Sequence, residues 1–303
     1  MSLESYVTGL MKDPSPKGMD RLVLAVLSQL EKMYFSQVEK KRTADMAAAV
    51  SAHVPVISVG NITAGGTGKT PCILMLAELF RSIGKKPAII SRGYKSGLEK
   101  EGGCVSDGRS ILVSQQMAGD EPYMMARKLP SVPIFIGKDR IASVKRAEKM
   151  GVGILLLDDG FQYWKLRRDQ DIILIDATNP FGYGHGLPRG LLREPLDALS
   201  RASLFILTKS DQVHLTDLME IREELARLAP GVPILSSTHA PSKVVPYEKW
   251  KAFLHEGTLE NVRMKKAYLV SGIGNPAAFK KTAKEAGLRP VGEMPFPDHH
   301  RYT

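Results

Sequence analysis

Short apolar runs recur along this chain, and amphipathic stretches separate them. Val54–Val59, Pro87–Ser91, Val132–Ile136, Gly153–Leu157, Asp171–Asp176, Ser203–Thr208 and Val232–Leu235 are apolar almost throughout. A strand wetted on one face would alternate apolar and polar residues. These runs predict strands buried on both faces, hence a mostly parallel sheet with helices on both sides. Shorter strands are predicted near Cys104–Val105 and Ile111–Val113. Helices are predicted after Gly68, from the turn at Ala118–Pro122 to Lys128, from Arg140 to Met150, and over Thr216–Leu228. An N-terminal helix is predicted from Asp20, read as its N-cap, to Ala49. Residues 1–20, with Pro14, Pro16 and Gly18, read as an irregular lead-in. From about Ser236 the pattern changes. Strands at Lys243–Trp250 and Ala267–Ser271 and a helix near Pro276–Ala286 suggest a smaller α/β subdomain. The expected division is 1–50, an N-terminal helix region; 51–235, the main sheet; and 236–303, the C-terminal subdomain.

The first long strand runs into Gly60-Asn-Ile-Thr-Ala-Gly-Gly-Thr-Gly-Lys-Thr70, and a helix follows. Glycines there let successive backbone N–H groups turn onto phosphate oxygens, and the helix N-terminus adds partial positive charge. Thr63, Ala64, Gly65, Gly66, Thr67, Gly68, Lys69 and Thr70 are the candidate ATP-binding residues. Lys69 would reach the terminal phosphates and the Thr70 hydroxyl would bind Mg²⁺. The strict loop pattern has glycine where this chain has Thr63, but strand, loop, helix and second strand come in the required order. The fold class is therefore α/β and P-loop NTPase-like.

In such sheets ligands gather at the carboxyl ends of strands. Asp158 and Asp159 end the run Ile154–Leu157 there, where a P-loop enzyme holds its metal; a turn that caps a strand with acids would look the same. Asp120 and Glu121 open a helix, a place acids favour anyway, yet a general base for a hydroxyl would also fit. The ending Phe296-Pro-Asp-His-His-Arg-Tyr-Thr303 offers an Asp–His unit or an ordinary polar tail. Arg92, Arg140, Arg189 and Arg193 fall in loops near one edge and suit a phosphorylated substrate. Thr208-Lys-Ser-Asp211 echoes the base-reading motif of GTPases, although a simple strand-end turn accounts for it as well.

Composition narrows the setting. The 303 residues carry a formal net charge of +10, which suits acidic partners: nucleotide, phosphorylated substrate, anionic membrane or nucleic acid. Cys72 and Cys104 show neither metal spacing nor a disulfide framework, as in a reducing compartment. No apolar run reaches the ~20 residues of a membrane span. Leu22–Leu27 is apolar, the pattern continues through Leu30, Met33, Tyr34 and Phe35, and Lys40, Lys41 and Arg42 follow, so the stretch reads equally as a helix lying on an anionic membrane or as one packed on the protein's own core.

Taken together the motifs resemble the tetraacyldisaccharide 4′-kinase (lipid A 4′-kinase) family. The matching pieces are GNITAGGTGKTP (60–71), SRGY (91–94), GDEP (119–122), GKDR (137–140), LDDGFQ (157–162), GLPRGLLREP (186–195), SGIGNP (271–276) and FPDHHRYT (296–303). The resemblance implies transfer of phosphate from ATP to the 4′-hydroxyl of tetraacyldisaccharide 1-phosphate, giving lipid IVA, with Mg²⁺ as cofactor. It implies a peripheral or monotopic enzyme on the cytoplasmic face of the inner membrane, attached through the N-terminal helix. It casts Asp120 as base, tuned by His299 from the C-terminal subdomain, Lys69 on ATP, and Thr70, Asp158 and Asp159 on the metal side. Arg92, Tyr94, Glu121, Arg140, Gln162, Arg193, Glu194 and Asp298 fall where the family lines its site. Two features depart from the pattern. Tyr163 stands where the family has His, and the family runs on past FPDHHRYT, so the chain is expected to be a fragment or a short member. The rival expectation is a ParA/MinD-like membrane-associated ATPase switch, which leaves GDEP and DHH unexplained and has a lysine where this chain has Ala64. A nucleic-acid partner rests on net charge alone and is not expected.

Overall fold

A computed structural model describes residues 3–13, 15–238, 240–252, 254, 256–273 and 276–296. The chain forms two compact units, Met1–Ser237 and Thr238–Thr303.

The first unit is built on eight strands: β1 Val56–Gly60, β2 Pro87–Ser91, β3 Gly103–Asp107, β4 Pro133–Ile136, β5 Ile154–Asp158, β6 Gln170–Asp176, β7 Leu204–Thr208 and β8 Ile234–Ser236. Their order is β3-β4-β2-β5-β1-β6-β7-β8, and every pairing is parallel except β3 with β4. The apolar runs are buried on both faces, as their composition requires. Ile89, Leu156, Leu174 and Ile206 pack with α3 (Lys69–Ser82), Ala118 of α4 (Gln115–Ala118) and α5 (Asp120–Lys128) on one face. Their chain neighbours Ile90, Leu155 and Leu157 pack with α6 (Arg140–Lys149) on the other. Ile173, Phe205 and Leu207 meet α7 (Leu215–Leu228). Each fully buried Leu or Ile contributes about 1.5–3 kcal/mol, which is how the sheet carries a buried Ser58 and Asp158.

Several local expectations need correction. The lead-in contains a helix, α1 (Leu3–Lys12), ahead of the Pro16 and Gly18 break. The long helix α2 (Met19–Ala47) starts after Gly18, whose φ of 53° suits glycine, so Asp20 lies in the first turn and is not the cap. Ile111 forms only an isolated bridge with Ser106. In the second unit, the Lys243–Trp250 run is not a strand. Pro246, with its fixed φ and no N–H, starts a short helix, α8 (Tyr247–Lys251). The described residues of that unit also include β9 (Lys266–Ser271), α9 (Pro276–Glu285) and β10 (Arg289–Pro295), with β9 and β10 parallel. Pro290, Gly292 and Pro295 hide β10 in the sequence, and the pairing is irregular there.

Of α2, no side chain is fully buried. One side is tied to the main unit: Ser28 accepts from Arg189, Glu31 accepts the Gly186 N–H, the Tyr34 hydroxyl donates to the Arg193 carbonyl, and Phe35 joins the core. Met19, Leu22, Val26, Leu30 and Met33 stay exposed on the same helix.

Candidate active site

The sheet order brings the carboxyl ends of β1, β2, β5 and β6 together, and the glycine-rich loop closes over β1. The approach is close: a Cβ on Gly60 would lie 2.6 Å from Phe161 Cβ and 2.9 Å from its N, so β1 can pass the Asp158–Phe161 turn only with glycine there. Residues 62–64 are strapped from outside by the 182–193 loop. Ala64 N–H donates to Leu191 O at 2.7 Å, and Arg193 N–H to Ile62 O at 2.8 Å. At Gly65 (φ 118°) and Gly66 no atom of the described residues lies within 4 Å of where a Cβ would be, which leaves an open cradle of backbone. Thr67 Oγ1 is buried with no hydrogen-bond partner among the described residues, the kind of orphan that a phosphate oxygen would satisfy.

Lys69 opens α3, and its Nζ donates to Asn61 Oδ1 at 3.0 Å, with Asp159 Oδ1 at 3.6 Å. Arg193 Nη1 and Nη2 grip Asp159 at 2.8 and 3.1 Å, and Nη1 also reaches Asn61 at 3.3 Å. Burial alone would raise the Asp159 carboxyl. The Arg193 hydrogen bonds and the charges of Arg193, Lys69 and Arg140 outweigh it and hold the group below its ordinary range. Its neighbour behaves oppositely. Asp158 is pushed up by burial, only partly offset by the hydrogen bond from Ser91 Oγ at 2.9 Å and by Arg140. The two acids expected to act as a pair are thus different groups: one locked among cations, the other buried on a serine.

On the far side of Lys69, Thr70 Oγ1 donates to Glu121 Oε1 at 3.3 Å, and Gln115 Nε2 holds Asp120 Oδ1 at 2.8 Å. Arg92 pairs with Glu99 and lies 5.4 Å from the Tyr94 ring centre. Arg140, itself buried, donates to the Asp159 carbonyl at 2.9 Å. Gln162 donates to the Asn61 carbonyl and to Glu194. Glu194 is buried, takes two hydrogen bonds from Arg201, and therefore supports the site from beneath without lining it. Arg189 is drawn away to Ser28 of α2. Asp298 and His299 lie outside the described residues. The sequence reading missed Asn61, which links Lys69, Arg193 and Thr63, and Ser91, which holds Asp158. A buried polar residue immediately after a strand was the available signal for Asn61. Beside these groups opens a cleft of about 610 Å³ lined mainly by cations, among them Lys41, Arg92, Lys138, Arg140 and Arg193.

The sequence model of the tetraacyldisaccharide-1-P 4′-kinase family matches residues 21–303. The chain belongs to this family. It is 38% identical to the tetraacyldisaccharide 4′-kinase of Halothermothrix orenii over 99% of the chain and 80% of that protein. It is 36% identical to that of Syntrophus aciditrophicus over 100% of the chain and 82% of that protein. Among solved structures it is similar to LpxK from Aquifex aeolicus crystallised with ATP, with a TM-score of 0.70 and 30% identity, covering 93% of this chain and 85% of that one. Tyr163 follows the DDGFQ motif directly. Its phenol accepts the Arg140 N–H at 3.0 Å.

The residues fit the nucleotide and the metal. The open backbone cradle, Lys69 and the orphaned Thr67 hydroxyl suit a triphosphate. Thr70 and Glu121 give two hard oxygens near the loop, and Asp158 ends the neighbouring strand. Among the described residues no three His, Cys, Asp or Glu side chains converge. Mg²⁺ needs few protein oxygens, because it keeps much of its water and takes phosphate oxygens as ligands.

Proposed function

We infer that this chain carries out its family's reaction, moving the γ-phosphate of ATP to the 4′-hydroxyl of tetraacyldisaccharide 1-phosphate to give lipid IVA. The observation that carries this reading is the cluster around Lys69, where a P-loop lysine, Arg193 and a cation-lined cleft meet within one unit. Phosphoryl transfer asks mainly for alignment and charge neutralisation. Bound ATP would supply the phosphoryl group, and Thr70 and Asp158 would hold a Mg²⁺ that offsets the phosphate charge. Lys69, held by Asn61, is aimed for the terminal phosphates. Asp120, with one oxygen fixed by Gln115, accepts the hydroxyl proton. Arg92, Arg140 and Arg193 give the cleft its affinity for a substrate that already bears a phosphate. The alternative of a ParA/MinD-like switch is not favoured, since the family model covers residues 21–303.

The N-terminal helix is proposed to rest on the cytoplasmic face of the inner membrane. No helix among the described residues is long and apolar enough to cross a membrane. The exposed stripe from Met19 to Met33 supports a surface attachment.

The test is transfer of labelled γ-phosphate to tetraacyldisaccharide 1-phosphate in detergent micelles, with Asp120→Ala and His299→Ala alongside. Transfer by the parent and a loss of roughly 100-fold or more in Asp120→Ala, the usual size for a general base, is the expected result. ATP binding without any transfer by the parent would overturn the reading.

A further inference from the structure

The Thr208–Asp211 segment remains outside the phosphate site, yet the fold gives it a defined place. β7 lies two strands from β1, on the side opposite the acid-bearing β5. Adjacent strands are about 4.8 Å apart, so the end of β7 stands roughly 10 Å across the edge from the phosphate loop. That is the reach of an α-phosphate and a ribose. A nucleotide whose terminal phosphate faces β5 would therefore bring its base over β7.

The local geometry is built to hold this turn rigid against the loop. Thr208 is buried and its hydroxyl donates to the Thr67 carbonyl at 3.1 Å, inside the phosphate loop itself. Its Cγ2 would be 3.6 Å from a Cβ on Gly68. Lys209 adopts left-handed backbone (φ 55°, ψ 32°), an unusual cost for a lysine. Its ammonium is ion-paired with Asp176 at the end of β6, which pins the aliphatic stem down along the edge. Ser210 is buried and is tied to the Ser237 carbonyl through both N–H and Oγ, at 3.2 and 3.1 Å. Asp211 follows, exposed, in a single 3₁₀ turn, Ser210–Gln212. A strand-end turn needs none of this anchoring to three neighbours, and the left-handed lysine is held in place by its ion pair with Asp176.

We propose that Thr208–Asp211 is the base site of the nucleotide pocket: the Lys209 stem packs on a purine face, Asp211 accepts the base's N–H groups, and GTP serves as phosphoryl donor beside ATP. This rests on the kinase reading above. A carboxylate can take two parallel hydrogen bonds from guanine N1–H and N2–H, but only one from the adenine amino group. The chemistry of transfer is unchanged with GTP. The bond between the γ-phosphorus and the β–γ bridging oxygen breaks, a bond from phosphorus to the 4′-oxygen forms, the hydroxyl proton goes to Asp120, and GDP leaves.

Calorimetric titration of the full chain with Mg²⁺ complexes of ATP, GTP and tripolyphosphate tests it, on the parent, Asp211→Ala and Lys209→Gly. The parent is expected to bind GTP at least as tightly as ATP. Asp211→Ala should lose roughly tenfold or more for GTP, the scale of a hydrogen bond to a charged group, and keep its tripolyphosphate affinity. Lys209→Gly relieves the backbone and removes the stem, so it should weaken both purine nucleotides while melting no lower than the parent. Unchanged GTP and ATP affinities in both variants would overturn the base site and leave the kinase reading intact. A parent that binds none of the three would sink the kinase reading instead.

Discussion

The phenol oxygen of Tyr163 accepts the Arg140 backbone N–H at 3.0 Å, and the Arg140 guanidinium lies 5.0 Å from the centre of the same ring. One side chain thereby fixes both the start of α6 and the cation it delivers to the cleft. At this position the chain presents an acceptor oxygen with a π face beside it. Tyr163→Phe keeps the face and loses the acceptor, so kcat/KM for the lipid should fall roughly threefold to tenfold, the scale of one ordinary hydrogen bond. Tyr163→His should add a group titrating near pH 6.5 or so. Profiles of kcat/KM against pH for parent and variant would then differ by one inflection in the neutral range.

Asp158 predicts a split between stability and activity. Its carboxyl is pushed up by burial, so the folded state bears a cost that appears as pH rises from the unfolded value and is complete above the folded one. Asp158→Asn removes the charge and still accepts from Ser91. The variant should melt a few degrees higher at pH 8, gain less at pH 5, and lose Mg²⁺-dependent transfer. Thermal melts at the two pH values, with turnover beside them, check the sign.

Gly60→Ala should fail for a steric reason. The new methyl would sit 2.6 Å from Phe161 Cβ and 2.9 Å from its backbone N, and that backbone cannot swing away as a surface side chain would. A loss of roughly 1–3 kcal/mol is expected from such overpacking. ATP affinity should fall with it, since β1 carries the phosphate loop. Denaturant melts and ATP titration on the same preparation report both.

The exposed stripe of α2 predicts membrane binding separable from folding. Leu22, Val26 and Leu30 are 63%, 60% and 43% exposed, and their replacement by Gln removes apolar surface without touching Ser28, Glu31 or Tyr34. The triple variant should no longer float with anionic phosphatidylglycerol vesicles, while its melting temperature stays at the parent value. Flotation equal to the parent would show that the stripe is not the membrane face.

By itself the sequence determined the sheet and the phosphate loop. Runs such as Ile154–Leu157 are apolar at every position, and only a strand covered on both faces uses that pattern. A loop such as 60–70 binds through its own backbone, so its chemistry is local and legible. What pairs with what was decided by tertiary structure. Asp158 and Asp159 are adjacent and alike in the sequence. Yet the left-handed turn at Asp159 (φ 48°) sends one carboxylate to Arg193 and Lys69 and leaves the other buried on Ser91. Asn61, Ser91 and Tyr34 become site residues through partners far along the chain, Arg193, Asp158 and Arg193 again, and no spacing rule reports such contacts. The strand misread at Lys243–Trp250 has a local cause: Val244 and Val245 favour strand, but Pro246 fixes the backbone angle from which α8 begins. The two faces of α2 are the plainest case. Its apolar residues fitted core and membrane equally well in the sequence. Only the fold, by engaging Ser28, Glu31 and Tyr34, left Leu22, Val26 and Leu30 turned to solvent.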